Sequence, residues 1–116
     1  MSKITIYHNP RCSKSRQTLA LIEEAGIQPE VRLYLEETLK AGELEALLGK
    51  LGISARELLR KGEQDYKDQD LKNPALSDAQ IIQKMTEYPK LIERPIVVLG
   101  DKAVLGRPPE NVNALL

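Results

Sequence analysis

The sequence predicts an α/β fold in which a mixed sheet, built in the order β-α-β … β-β-α, receives a helical insertion. Three observations predict it. A β-type run, a helical pattern and a second β-type run follow one another within the first 35 residues. Two short apolar runs flank a tight turn near the C-terminus, and the middle of the chain carries helical patterns. A strand–helix–strand unit makes its strands parallel, whereas a hairpin makes them antiparallel, so the sheet should contain both kinds of pair.

The N-terminal part supplies the strand–helix–strand unit. Lys3–Tyr7 alternates, is rich in β-formers and ends at the turn signal Asn9-Pro10. Ser13–Ala25 has apolar residues at helical spacing and is followed by a glycine, which predicts a helix. Pro29–Leu35 alternates again and predicts the second strand.

The middle of the chain predicts helices separated by a loop. Thr38 is placed to cap a helix with leucines three and four residues apart, which Gly52 closes. Two capping-box patterns, Ser54–Glu57 and Ser77–Gln80, each predict the start of a further helix. Lys61–Lys72 is highly charged and is expected to be an irregular, solvated loop.

The C-terminal part predicts a hairpin and a last helix. Ile96–Leu99 and Ala103–Leu105 flank a short turn that begins with glycine. Pro108 suits a helix start, and Val112–Leu116 would finish the chain as a helix. Together these elements predict a thioredoxin-like sandwich, and with no repeat or linker we expect one domain over residues 1–116.

Composition narrows the possible partners and the compartment. The chain has 17 basic and 17 acidic side chains, so no general attraction to nucleic acid or to a membrane surface is expected. It has no run of 18 apolar residues and no signal-peptide pattern at its start. A single cysteine excludes an internal disulfide, and we therefore expect a cytoplasmic protein.

The single cysteine, Cys12, is the strongest candidate for chemistry. It lies where the first helix should begin, and a helix N-terminus favours a thiolate and can bind an oxyanion through its free N–H groups. Neighbouring cations should favour the thiolate further; these are Arg11, Lys14, Arg16 and, if protonated, His8. The alternatives are that Cys12 is a buried small residue and that His8 forms a hydrogen bond at the strand end.

Other cysteine sites fit the sequence poorly. A cysteine phosphatase would need an arginine at the position of Thr18, and a Cys-x-x-Cys motif would need a thiol at the position of Ser15. With one cysteine and one histidine, no metal site is expected. The thiol that resolves an intermediate on Cys12 must therefore come from another molecule, most simply glutathione or a glutaredoxin.

Four motifs in order along the chain resemble the glutaredoxin-dependent arsenate reductases, which have a thioredoxin-like fold. The motifs are His8–Arg16, Leu58–Arg60, Glu93–Val97 and Gly106–Glu110. The resemblance implies that Cys12 attacks arsenate to form an arsenic–sulfur bond. It also implies that Arg94-Pro95 is a cis peptide bond beside the site.

The resemblance further assigns roles to five other side chains. Arginines matching Arg60, Arg94 and Arg107 hold the oxyanion, although position alone does not distinguish them from solvated arginines. His8 lowers the pKa of the cysteine, and Ser15 belongs to the same loop. Glutathione is implied as co-substrate and glutaredoxin as partner of a monomer, with no tightly bound cofactor.

Two other functions remain open for this fold. Some relatives are transcriptional regulators that bind RNA polymerase, but these usually carry the Cys-x-x-Cys pair that is missing here. A general monothiol, glutaredoxin-like reductase would need a glutathione-binding groove rather than an oxyanion cage. The three arginines favour arsenate reduction over both.

Overall fold

The structure, a computed structural model, describes residues 3–116. The chain divides into two compact units. The first unit holds the described residues of Met1–Glu37 together with Arg94–Leu116, and the second unit is Thr38–Glu93. The predicted single domain over residues 1–116, whose first two residues lie outside the described range, stays a prediction.

The first unit contains a four-stranded mixed sheet. Its strands are β1 (Ile4–Tyr7), β2 (Glu30–Arg32), β3 (Ile96–Leu99) and β4 (Lys102–Leu105), and they lie in the order β2-β1-β3-β4. β1 pairs in parallel with β2 and antiparallel with β3, and β3 and β4 form the antiparallel hairpin. The predicted α/β class and its mixed, thioredoxin-like sheet are therefore confirmed.

One helix and one 3₁₀ segment complete the first unit. Helix α1 (Ser13–Glu24) connects β1 to β2, and the 3₁₀ helix Pro109–Leu115 packs against α1 and β4. The helix predicted to start at Pro108 and to finish the chain over Val112–Leu116 is present as this 3₁₀ helix. It buries Pro109, Val112 and Leu115 at intervals of three residues, which is the period of a 3₁₀ helix. Val112 and Leu115 belong to the core that includes Ile6, Ile22 and Val97.

The second unit is helical. Its helices are α2 (Ala41–Leu51), α3 (Ala55–Leu58), α4 (Gln64–Asp68), α5 (Asp78–Glu87) and the 3₁₀ turn Pro89–Leu91. Both predicted capping boxes are present, at Ser54 and at Ser77, and Gly52 ends α2 in the left-handed conformation with φ 70°. Within residues 3–116, no helix is long and apolar enough to cross a membrane.

Three local predictions are wrong. α2 begins only at Ala41, with Lys40 in the N-cap position, so Thr38 does not cap it. The charged stretch 61–72 contains α4, because Leu71 is fully buried and its N–H bonds to the carbonyl of Tyr66, which holds the segment in place. β2 is shorter than predicted because the Leu33 carbonyl accepts two N–H groups of a turn that follows the strand.

Candidate active site

Cys12 occupies the N-cap position of the 12-residue helix α1. Its backbone is extended there, with φ −93° and ψ 121°. Its N–H donates to the carbonyl of Asn9 at 3.0 Å, and its carbonyl accepts the N–H of Arg16 at 3.0 Å. The side chain of Asn9 also accepts the N–H of Arg11 at 3.1 Å. These bonds fold the loop 8–12 back on itself and place Cys12 at the positive end of the helix.

The pKa of Cys12 is lowered from its ordinary value. Burial by itself raises this pKa. The backbone N–H of Ser15, the charge of Arg94, the N–H of Lys14 and the charge of Arg107 lower it, and their sum exceeds the effect of burial. The helix N-terminus therefore acts as predicted. The cations that act on the sulfur are distant in sequence, whereas the expected ones were the neighbouring side chains.

The surroundings of His8 disfavour its cationic form. The side chain is 6% exposed, and burial, followed by the nearby charge of Arg16, lowers its pKa below 6.5. Nδ1 of the ring lies 2.6 Å from Oγ of Ser15, which is fully buried and also accepts the N–H of Asn9 at 3.1 Å. The alternative, a hydrogen-bonding role at the strand end, is the one that the geometry supports.

Arg94 and Arg107 meet in the first unit. Both residues precede cis prolines, which confirms the cis bond expected at Arg94-Pro95 and adds a second at Arg107-Pro108. Nη1 of Arg107 donates to the carbonyl of Arg94 at 3.3 Å. Nε and Nη1 of Arg94 are buried, and no hydrogen bond to any described residue satisfies them. Because buried donors without partners are rare and costly, this pair of nitrogens indicates an acceptor other than the residues of the range 3–116.

Gly106 begins one of the four sequence motifs, but the sequence alone does not indicate what this glycine does. A Cβ on Gly106 would lie 2.5 Å from Oγ1 of Thr18 and 2.7 Å from Cγ of Pro95. Its N–H donates to the carbonyl of Pro95 at 2.9 Å. Only glycine therefore allows the segment that carries Arg107 to lie against Pro95 and α1.

Arg60 lies in the second unit, beside two carboxylates. Its Nε is 3.6 Å from Oε1 of Glu93, and its Nη1 is hydrogen-bonded to Glu63. The backbone N–H of Arg60 donates to the carbonyl of Leu91 at 2.8 Å, next to an isolated β-bridge between Leu59 and Ile92. The cluster around Cys12 in the first unit thus contains two of the three predicted arginines. Glu93 belongs to one of the four sequence motifs, but no sequence pattern indicated that Glu63 and Glu93 pair with Arg60.

The arrangement in the first unit suits a nucleophile that meets an oxyanion. Backbone N–H groups and guanidinium groups favour the thiolate, and the same groups are the usual ligands of a tetrahedral anion. Over the described range 3–116, no group of three or more His, Cys, Asp or Glu side chains is arranged to hold a metal ion.

Comparison with known proteins shows the family of the chain. The model of the ArsC family matches residues 7–115. The chain is 49% identical over 114 residues to the arsenate reductase of Haemophilus influenzae, covering 97% of this chain and 98% of that protein. It is 55% identical over 111 residues to the uncharacterized protein YfgD of Escherichia coli K12, covering 95% and 93%.

The solved structure of the arsenate reductase from Vibrio cholerae is similar throughout. It superposes with a TM-score of 0.97 at 48% identity, covering 99% of this chain and 98% of that one. The resemblance inferred from the four sequence motifs is thereby confirmed at the level of the family. The chain belongs to the ArsC family.

Proposed function

We propose that this protein reduces arsenate to arsenite with Cys12 as the nucleophile. The names of the relatives from Haemophilus influenzae and Vibrio cholerae support the substrate. The observation that carries the proposal is Arg94, whose buried Nε and Nη1 lack a partner among residues 3–116 while its charge lowers the pKa of Cys12. A bound oxyanion would accept these N–H groups and lie beside the sulfur.

The first step is covalent. The Cys12 thiolate attacks arsenic, and one arsenate oxygen leaves as water after taking up protons, so that an arsenic–sulfur bond replaces an arsenic–oxygen bond. Arg94 and Arg107 offset the repulsion between the thiolate and the anion, and their planar forks match pairs of arsenate oxygens. We assign Arg60 to the same role on the strength of the family resemblance.

The reduction needs thiols from outside, since the 116 residues contain one cysteine. Glutathione displaces a second oxygen, again as water, and forms a second arsenic–sulfur bond. Glutaredoxin then attacks the glutathione sulfur, and the electron pair of the broken bond stays on arsenic, which passes from As(V) to As(III). Water replaces Cys12 on arsenic to release arsenite, so two thiols become one disulfide for each arsenate.

A coupled assay tests the proposal. The purified protein is supplied with arsenate, glutathione, glutaredoxin, glutathione reductase and NADPH, and NADPH oxidation is followed. We expect arsenate-dependent oxidation that disappears in Cys12→Ser. Replacing glutathione and glutaredoxin by thioredoxin and thioredoxin reductase should not support turnover. Equal turnover with thioredoxin would contradict the proposed reductant, and arsenate-independent oxidation would contradict the proposed substrate.

A further inference from the structure

The first unit contains a cavity beside the cysteine loop that the proposed chemistry does not use. Its volume is about 280 Å³. We call it the loop cavity, and its lining residues are His8, Asn9, Pro10, Arg11, Leu33, Leu35 and Glu36. We propose that the loop cavity binds the small peptide thiol, glutathione, that attacks the arsenic adduct on Cys12. This inference rests on the proposed function and gives its co-substrate a site.

The position of the loop cavity is the first argument. One wall is the segment that ends immediately before Cys12, and the other wall is the segment that follows β2. The backbone N–H of His8 donates to the carbonyl of Arg32 at 2.8 Å, and this bond joins the two walls at their base. A second cavity of the first unit, about 370 Å³, is lined by Lys3, Ile4 and Leu99, at the end of the sheet away from Cys12.

The size of the loop cavity selects the kind of thiol. Small-molecule sites usually measure about 300 to 1,000 Å³, so a cavity just below that range suits a ligand no larger than a tripeptide. A protein thiol such as glutaredoxin instead needs about 800 Å² of surface on each partner. The cavity therefore fits the free thiol that acts before glutaredoxin.

The charges of the loop cavity match a zwitterion. Arg11 and Glu36, of opposite sign, lie on different walls, and Leu33 and Leu35 provide apolar surface between polar groups. Glutathione carries two carboxylates and one ammonium group around a short, uncharged centre. We assign a carboxylate of the peptide to Arg11 and its ammonium group to Glu36.

His8 offers one further polar atom. Its ring lines the cavity, and Nδ1 is engaged by Ser15. No hydrogen bond to the rest of the described chain engages Nε2. A peptide group of the ligand would satisfy this nitrogen. A simple thiol such as 2-mercaptoethanol would match none of these groups.

The first experiment measures glutathione saturation in the coupled assay. Glu36→Gln and Arg11→Ala should each raise the KM for glutathione about two- to five-fold, the effect of losing an exposed ion pair, with unchanged kcat and unchanged KM for arsenate. Glu37→Gln is the matched control, because Glu37 is the next residue, is exposed, and pairs with Arg32 at 3.8 Å outside the cavity. An unchanged KM for glutathione in both cavity variants would overturn the inference.

A modified ligand identifies the contact with Arg11. The glycine monoethyl ester of glutathione keeps the thiol and the ammonium group but loses one carboxylate. The native protein should prefer the free acid over the ester, and Arg11→Ala should lose that preference, while Glu36→Gln should keep it. A preference that survives in Arg11→Ala would overturn the assignment of the carboxylate.

A binding measurement separates the loop cavity from the proposed reaction. S-Methylglutathione, which cannot react, is titrated into ¹⁵N-labelled protein, and amide shifts are expected at Asn9, Arg11, Leu33 and Leu35 but not near Ile27. If these shifts occur and weaken in Glu36→Gln while arsenate is not reduced, the cavity site stands and the proposed function fails. If arsenate is reduced with glutathione but the shifts are absent, the function stands and the cavity site is wrong.

Discussion

Gly106 lies so close to Thr18 that a Cβ on Gly106 would be 2.5 Å from the threonine Oγ1. Real Cβ atoms essentially never approach another heavy atom to less than 3.0 Å. Thr18 has no freedom to withdraw without cost, because it is fully buried and its hydroxyl donates to the carbonyl of Lys14 at 2.8 Å. The contact therefore fixes the distance between α1, which begins directly after Cys12, and the segment that carries Arg107.

Gly106→Ala should damage both stability and activity. The added methyl group meets Thr18 and the ring of Pro95, and overpacking of this kind costs about 1 to 3 kcal/mol of unfolding free energy. Urea denaturation measures the loss, and the coupled assay should show reduced turnover in the fraction that remains folded. Gly49→Ala is the control: a Cβ there has open space within α2, so a gain of up to about 1 kcal/mol is expected. Equal stability of Gly106→Ala and the native protein would contradict the packing argument.

The pKa of the Cys12 thiol should lie below its ordinary value, because backbone N–H groups and the charges of Arg94 and Arg107 favour the thiolate by more than burial disfavours it. A cation stabilises the thiolate, so removal of a cation raises the pKa, and Arg94→Ala should move the midpoint of the rate of iodoacetamide alkylation to higher pH. Arg107→Ala should move it in the same direction by less, since Arg94 acts more strongly on the sulfur. Arg16→Ala is the matched control in the first turn of α1. An identical midpoint in Arg94→Ala and Arg16→Ala would refute the assigned cause.

His8 should make the protein less stable in weak acid. Because its folded pKa lies below the unfolded value of about 6.5, the unfolded chain takes up a proton before the folded protein does. Its contribution to stability is therefore complete above pH 6.5 and is lost as the pH falls from 6.5 to the folded pKa. His8→Asn keeps an amide near Ser15 but cannot titrate, so its unfolding free energy should fall less over this window. Unfolding free energies from urea denaturation that fall in parallel with pH for the two proteins would show that His8 is not the group whose protonation lowers the stability.

Replacing two arginines of the second unit should have contrasting effects, one mainly on stability and the other mainly on turnover. Arg56 donates to the carbonyls of Leu71 and Asn73 at 2.8 and 3.0 Å, so Arg56→Ala should lose about 2 kcal/mol of stability and little turnover per folded molecule. Arg60→Ala should lose about 100-fold in turnover, the effect of one missing oxyanion donor, with a smaller change in stability. Thermal unfolding and the coupled assay measure the two effects. Normal turnover in Arg60→Ala would remove Arg60 from the reaction.

The sequence predicted the elements whose signals are local. Alternating apolar residues predict β1, and a turn that contains glycine predicts the hairpin. The two capping boxes, each a Ser with a Glu or Gln three residues later, predict the starts of α3 and α5. The start of α2 was missed because Lys40 caps it with no side-chain bond, so no cap residue marks the place. Helix α4 was missed because its own residues are polar, while the buried residue that holds the segment, Leu71, lies beyond the helix.

The sequence predicts the nucleophile of the candidate site but not the interactions that surround it. Cys12 at a helix N-terminus can be read from the chain alone. The cations that act on it lie some 80 and 95 positions away, and only the family motifs indicated them. The pairing of His8 with Ser15 spans a folded loop, and burial decides the charge of the ring, which spacing cannot show.

Tyr7 has a backbone partner on each side, Arg32 in β2 and Ile96 in β3. Tyr7 is the last strand residue before the cysteine loop, and strands on both sides hold it. The loop therefore starts from an interior strand of the sheet. A change of loop length would then alter the path between Tyr7 and α1 without moving either end. Substitutions at the exposed positions Pro10 and Arg11 can therefore change what the thiol meets at little cost to folding, whereas His8 and Asn9 are fixed by hydrogen bonds of the loop.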